Sequence, residues 1–183
     1  MAPIRVHEFI SLDGVIDTPS WTADFGSDPR MDEAIGRCVA ASDAILLGRN
    51  TFQLLEPSWP VGTAKDDHPG APFFDETRKY VVSSTLPTAT WQNSEVVGAY
   101  DSGKIQQLKD QALLGLYVSG SATLVRALLA DGLVDELHLF VYPLTRSTGP
   151  RLFGNGMPPA RWTRADAQLY DNGVVYLKLI PAS

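Results

Sequence analysis

Two short apolar runs, each broken at a glycine and each leading into a helical pattern, constrain this chain more than anything else in it. The first is Ala44-Ile45-Leu46-Leu47-Gly48-Arg49-Asn50-Thr51 and the second is Leu116-Tyr117-Val118-Ser119-Gly120-Ser121-Ala122-Thr123-Leu124. A nearly all-apolar strand is what a sheet covered by helices on both faces demands. A strand that turns into a helix through glycine and small hydroxyl residues aims backbone N–H groups at whatever sits above it. The partial positive charge of a helix start favours an anion there. One such turn is common. Two, one of them carrying Arg49, point to a ligand with more than one phosphate, and a dinucleotide is the economical candidate.

The remaining elements fall into an alternating order. Residues 4–12 read as a first strand that ends at Asp13-Gly14, and a polar loop containing Trp21 follows. Asp28-Pro29 opens a helix over about 29–41, Asp as N-cap and Pro at the first helical position. A strand at 43–48 and a short helix at 50–55 precede a Pro- and Gly-rich loop at 57–72. Residues 73–77 read as a helical turn, with strands at 79–84 and 95–100, a helix at 102–112, a strand at 116–119 and a helix at 122–131. Strands at 134–142 and 161–170 follow, and Asp171-Asn172-Gly173 turns the chain into a last strand at 174–180. Alternating β and α followed by antiparallel strands predicts an α/β fold with a mixed, mostly parallel sheet, flanked by helices and ending in an antiparallel hairpin. All 183 residues are expected to form one domain.

Charge and composition remove several classes of function. With 15 basic and 21 acidic residues the net charge is −6, which disfavours nucleic acid or an anionic membrane as partner. No apolar stretch reaches the ~18 residues of a membrane span, and the N-terminus enters a strand pattern without a secretory apolar region. A cytoplasmic protein is expected. The single cysteine, Cys38, fits a reducing compartment and a small core residue. His7, His68 and His138 have no ligand spacing, so no metal is expected.

Three resemblances to catalytic motifs fail on inspection. Gly98-Ala99-Tyr100-Asp101-Ser102-Gly103-Lys104-Ile105 nearly spells a P-loop, but Ile105 stands where a Ser or Thr should hold Mg²⁺. Asp101 or Ser102 capping a helix is the simpler reading. Ser119 and Ser121 lack the Gly-x-Ser-x-Gly elbow of a hydrolase nucleophile. There is no Gly-x-Gly-x-x-Gly dinucleotide fingerprint.

Ser11-Leu12-Asp13-Gly14, Gly48-Arg49-Asn50-Thr51, Val81-Val82-Ser83-Ser84-Thr85 and Gly132-Leu133-Val134-Asp135-Glu136-Leu137 occur in this order. With them the chain, from about residue 4 to 180, resembles the stand-alone relatives of the riboflavin-biosynthesis reductase domain, within the dihydrofolate-reductase-like superfamily. The resemblance implies a reductase with NADPH, rather than NADH, across the C-terminal ends of the parallel strands. Gly48, Arg49, Asn50 and Thr51 match the turn that holds cofactor phosphate, and Ser83, Ser84 and Thr85 the segment beside the adenosine ribose. Ser119, Gly120, Ser121, Ala122, Thr123 and Leu124 match the turn at the pyrophosphate. Ile16 and Asp17 match positions bordering the nicotinamide, with Asp13 beside them at the substrate cleft. The chain departs from the family pattern at Ser84, where a basic residue is usual, at Ser119-Gly120, where a glycine pair is usual, and over residues 146–150. An arginine in that loop either binds an acidic substrate or caps a carbonyl.

Elementary chemistry agrees with part of this. Gly48 and Gly120 let the backbone approach phosphate without a Cβ, and Arg49 offers a planar fork to phosphate oxygens. Hydride transfer also needs a proton for the substrate. Asp13 is the first candidate to orient or protonate it, with Asp32 and Glu33 behind it; capping or solvation is the alternative for all three. Trp21 and Trp59 either stack on a ligand or pack as core. The expected activity is NAD(P)H-dependent reduction of a pteridine-like or aminopyrimidine-like heterocycle; the alternative is a nucleotide-binding protein of the same fold without turnover. The C-terminal hairpin offers a pairing edge, so a homodimer is expected.

Overall fold

The first strand, β1 (Ile4–Ser11), sets Ile4, Val6 and Ile10 on one side and Arg5, His7 and Phe9 on the other, so both of its faces need cover. The computed structural model describes residues 1–16, 18–57, 59, 70–154 and 156–182, so Asp17 and His68 lie outside the described residues. After β1 the chain forms α1 (Pro29–Ala40), β2 (Ala44–Gly48), α2 (Arg49–Leu55), α3 (Ala71–Glu76), β3 (Arg78–Val82) and β4 (Ser94–Gly98). It continues through α4 (Ser102–Gln111), β5 (Leu116–Val118), α5 (Ala122–Ala130), β6 (Glu136–Tyr142), β7 (Trp162–Leu169) and β8 (Val175–Pro181).

These strands make one eight-stranded sheet in the order β4-β3-β2-β5-β1-β6-β8-β7. The first six strands pair in parallel, while β8 runs antiparallel to β6 and β7 antiparallel to β8. The expected mixed, mostly parallel sheet with a C-terminal hairpin is therefore what the chain forms. Gly173, at φ 85°, supplies the left-handed residue the hairpin turn needs.

The faces are covered by different helices. Ile105 and Leu108 of α4 and Leu124, Val125 and Leu128 of α5 join Ile4, Val6, Leu46, Leu116 and Val118 in one core. Phe52 of α2, Phe74 of α3 and Cys38 of α1 pack with Ile45, Leu47, Val81 and Tyr117 in a second. Met31 and Ala34 of α1 join Phe140, Tyr142 and Tyr176 in a third, on that same side. Fully burying each such aliphatic contributes roughly 1.5–3 kcal/mol.

Local choices agree with the sequence. Asp28 caps α1 by accepting from the Arg30 N–H at 3.0 Å, and Asp101 caps α4 by accepting from the Lys104 N–H at 2.7 Å. The lysine of the P-loop look-alike, Lys104, donates to the Val97 carbonyl. Cys38 is buried, and burial pushes its thiol up to about 12. The loop expected around Trp21 instead winds into a 3-10 helix over Pro19–Phe25. Pro19 pre-sets its first turn, and Trp21 packs edge-on against Tyr142 at 5.2 Å. Trp59 stacks on Phe74 at 4.4 Å. Both tryptophans are buried, which favours core packing over stacking on a ligand.

Candidate active site

β2 and β5 are parallel neighbours whose following helices leave in opposite directions, α2 to one face of the sheet and α5 to the other. Adjacent strands that diverge in this way open a crevice at their C-terminal ends, the place where open α/β sheets take ligands. The two glycine bends stand there, in contact. The Gly48 N–H donates to the Gly120 carbonyl at 3.4 Å. The Thr51 N–H and hydroxyl donate to Ser121 Oγ at 3.1 and 3.2 Å. The Gly120–Ser121 peptide is cis.

This contact revises the expected part of the glycines. A Cβ on Gly48 would stand 2.5 Å from Ser121 Oγ, and one on Gly120 would stand 2.6 Å from Thr51 Oγ1. The missing side chains let the bends pack on each other. The Thr51 amide is likewise taken by Ser121. What stays available is the first turn of α5. Its N-cap, Ser121, makes no side-chain capping bond, and no acidic residue lies in that turn. α2 also begins uncapped at Gly48, but seven residues give it a short dipole.

β3 brings the third segment alongside. Arg49 is exposed, donating from Nη1 to Thr85 Oγ1 at 2.7 Å and from Nε to Gln53 Oε1 at 3.2 Å. Ser83 is buried, its Oγ accepting from the Thr85 and Leu86 amides at 3.2 and 2.9 Å, so it shapes the turn. Ser84, Asn50 and Thr123 are exposed, and Ser119 and Ala122 are half-buried. The Leu124 side chain belongs to the core under α5, which leaves its backbone facing the bend. Ile16 is buried beside the same core, and its N–H donates to the Pro150 carbonyl at 2.9 Å.

Asp13 is held on both carboxylate oxygens. Its Oδ1 accepts from Ser11 Oγ at 2.6 Å and from the Arg146 N–H at 3.0 Å, while Oδ2 accepts from the Ser147 N–H at 2.8 Å. The Arg151 guanidinium lies 3.7 Å from Oδ2. The Ser11 hydroxyl, then the Arg146 amide, hold this carboxyl well below the usual carboxylate range. An anion so engaged accepts hydrogen bonds; it does not donate a proton near neutrality. Asp13 instead ties the 146–151 segment to the turn after β1, reinforced by the Val15–Arg151 bridge and the Leu152 N–H to Gly14 carbonyl bond at 2.9 Å. The Arg146 guanidinium lies over the Trp21 ring at 5.5 Å. Asp32 and Glu33 are exposed on α1. Replacing Asp13 with Ala leaves the Arg146 and Ser147 amides without their carboxylate. The expected result is faster proteolysis within 146–151 and a lower urea midpoint, read by limited proteolysis and urea unfolding.

Reading the sequence passed over Glu8. It shares its side of β1 with Val6 and Ile10, it is buried, and its Oε1 has no hydrogen-bond partner among the described residues. Burial raises its carboxyl to about 8. A charged residue at an inward register of an apolar strand was the available signal. Lys79 is equally buried, but its Nζ donates to the Asp75 and Thr77 carbonyls at 3.2 and 2.8 Å at the end of α3, so a structural task accounts for it.

Among the described residues no helix is long and apolar enough to cross a membrane. Residues 2–176 match the RibD C-terminal domain family. The chain is 24% identical over 178 residues to the uncharacterized protein YyaP of Bacillus subtilis, covering 92% of this chain and 89% of that one. It superposes with a TM-score of 0.79 on a putative riboflavin biosynthesis protein from Shewanella sp. PV-4, at 19% identity and over the whole of both chains. A pyrimidine reductase-like protein from Corynebacterium diphtheriae gives a TM-score of 0.70 at 16% identity, over all of this chain and 92% of that one. Bends, sheet order and family match agree: this chain belongs to the RibD C-terminal domain family and has its dihydrofolate-reductase-like fold.

Proposed function

We propose that this chain is an NAD(P)H-dependent reductase that passes hydride to a small pteridine-like or aminopyrimidine-like heterocycle. Membership of a reductase-domain family supports the reaction class. The observation that carries the rest is the meeting of the two bends at the sheet's switch point, with Arg49 and Thr85 beside them. The residues fit a dinucleotide. Uncapped amides open α5 with no acidic residue in its first turn, and Arg49 presents a cation within reach of the Ser83-Ser84-Thr85 segment.

In this reading Ser119, Gly120, Ser121, Ala122 and Thr123, with the backbone of Leu124, hold the pyrophosphate. Gly48, Arg49, Asn50 and Thr51 form the turn at the second phosphate group, which the exposed Arg49 and Asn50 hold, and Ser83, Ser84 and Thr85 flank the ribose. Ile16 and Asp17 border the nicotinamide. Bound NADPH supplies the hydride. The protein's own work is to fix that ring against the acceptor, keep water out and provide a proton. Arg49 gives the site a cation beside Thr85, which favours the extra phosphate of NADPH over NADH. The β7 edge, with Leu169 exposed, supports assembly as a homodimer.

Titration with NADPH, NADH and ATP, followed by tryptophan fluorescence, tests this directly, together with NADPH consumption across a panel of aminopyrimidines and pteridines. NADPH is expected to bind tightest and to be oxidised. Binding without turnover on any acceptor would assign a nucleotide-binding role instead. Arg49→Ala is expected to weaken NADPH at least tenfold, about 1.4 kcal/mol, with the fold intact by circular dichroism. Unchanged affinity removes Arg49 from the site.

A further inference from the structure

The opposite end of the sheet from the crevice holds a second polar cluster. Arg5 is in register with Glu136, the first residue of β6, and lies about 20 Å along β1 from the crevice end of that strand. Three donors converge there on one oxygen: Arg5 Nε, His138 Nε2 and Lys178 Nζ stand 3.2, 3.0 and 3.0 Å from Glu136 Oε2. Arg5 Nη1 also donates to the Ala41 carbonyl at 2.6 Å, closing the C-terminal end of α1. This network accounts for Arg5, Glu136 and His138, but not for the space beside it. A cavity of about 370 Å³ lies between α1 and the β6-β8-β7 face, large enough for a small molecule. Protein interiors normally close such voids. This one stays open because residues 34, 38 and 41, on one side of α1 at helical spacing, are Ala, Cys and Ala, and because Ala165 of β7 is equally small.

The charges lining the cavity leave donors to spare. Arg5, Arg37 and Lys178 face Glu136 and Asp166, a positive excess in a chain with 15 basic and 21 acidic residues. Both carboxylates already accept: Glu136 takes its three donors, and Asp166 takes the Ala167 N–H at 2.8 Å and the Gln168 side chain at 3.3 Å. The His138 bond, then Lys178, hold Glu136 down at about 2, so it stays the network's anion. Lys178 gives one of its three protons to Glu136. Arg37 has no carboxylate partner among the described residues. A basic residue in the last turn of α1 also suits the helix dipole, but that task needs no cavity. We propose that this cavity is a second ligand site, for a small organic acid whose carboxylate is held by Arg37 and Lys178 and whose apolar body rests on Ala34, Cys38 and Ala165. A guanidinium matches both oxygens of a carboxylate. An excess of one positive charge suits a monoanion, whereas a phosphate ester of about −2 would leave negative charge uncompensated beside Glu136. The site does not depend on the reductase reading, because it lies at the other end of the strands from the proposed cofactor.

Titration of the ¹⁵N-labelled protein with benzoate, in the absence of any nucleotide, tests the proposal, with phenyl phosphate and benzylamine as separate arms. Benzoate is expected to saturate with a Kd below about 1 mM. It should shift the amides of residues 34–41, 136–138 and 176–178 while leaving those of 48–51 and 119–124 in place. Arg37→Gln alters an exposed side chain, so the thermal midpoint should hold while benzoate weakens about tenfold. Ala34→Leu fills the cavity and should abolish saturation. Absent or unsaturable shifts overturn the proposal, as do shifts whose midpoint is the same in both variants. Tighter binding of phenyl phosphate or benzylamine overturns it too, by assigning the cavity to a ligand of different charge.

Discussion

Glu8→Gln makes the protein more stable at pH 8 than the wild type, and the advantage disappears as the pH falls to 4.5. The sign follows from burial. The Glu8 carboxyl titrates near 4.5 in an unfolded chain and near 8 in the folded one. A group whose folded pKa is raised contributes its full stability below the unfolded value and loses it as pH rises through the folded value. Across that interval the wild type gives up on the order of 4 kcal/mol that the amide variant keeps. His7 acts oppositely. Burial, then the neighbouring His138, lower it from 6.5 to about 3, so its contribution is complete above 6.5 and lost as pH falls toward 3. Between 4.5 and 6.5 the two effects cancel, because the unfolded chain trades the Glu8 proton for one on His7. Stability from this pair is therefore flat in that window and falls on both sides. Between 6.5 and 8 the wild type loses about 2 kcal/mol through Glu8 alone. Urea unfolding between pH 3 and 8 separates the arms: in Glu8→Gln the alkaline one should vanish, and the acid one, no longer offset between 4.5 and 6.5, should begin at 6.5. Equal alkaline slopes in both proteins would show that Glu8 ionises freely in the folded state. A carboxyl that costs stability near neutrality and leaves its Oε1 without a hydrogen-bond partner among the described residues is a candidate for use in chemistry.

Much of this arrangement was legible in the amino-acid order, for reasons that are local. Ala44–Gly48 and Leu116–Val118 read as buried strands because apolar runs ending at glycine have few other uses. Asp28, Asp101 and the Asp171-Asn172-Gly173 turn announced their structures because caps and tight turns depend on residues within four positions of one another. What stayed hidden depends on distant partners. That Thr51 bonds Ser121, 70 residues away, follows from β2 and β5 becoming neighbours, which no periodicity reveals. Hence the bend glycines read as room for a phosphate when each makes room for the other bend. Asp13 read as chemistry because its amide partners lie more than 130 residues on. Glu8 was visible as a residue, yet its burial is a property of β5, β6 and α5 together, and only their assembly shows that its Oε1 meets no hydrogen-bond partner among the described residues.

Gly48→Ala is expected to lower stability by about 1–3 kcal/mol and to weaken NADPH by more than tenfold, although alanine suits the local backbone. Gly48 sits at φ −78° and ψ 158°, an ordinary extended conformation, so no conformational strain accompanies the added methyl. Gly120, at φ 85°, would confound the two effects. At Gly48 the whole effect is steric. The new Cβ would stand 2.5 Å from Ser121 Oγ, 2.9 Å from its Cβ and 3.0 Å from its backbone nitrogen. A rotating hydroxyl relieves the first contact; only movement of the α5 start relieves the others. That movement breaks both Thr51 bonds to Ser121 and draws apart the segments that the proposed cofactor must span. Ser121→Gly removes the Oγ and Cβ that collide. Combined with Gly48→Ala, it should return part of the lost stability, giving a favourable coupling in a double-mutant cycle followed by urea unfolding. Additive losses would mean that the two bends do not bear on each other. Retained NADPH affinity in a destabilised Gly48→Ala protein would mean that their contact shapes the fold but not the ligand site.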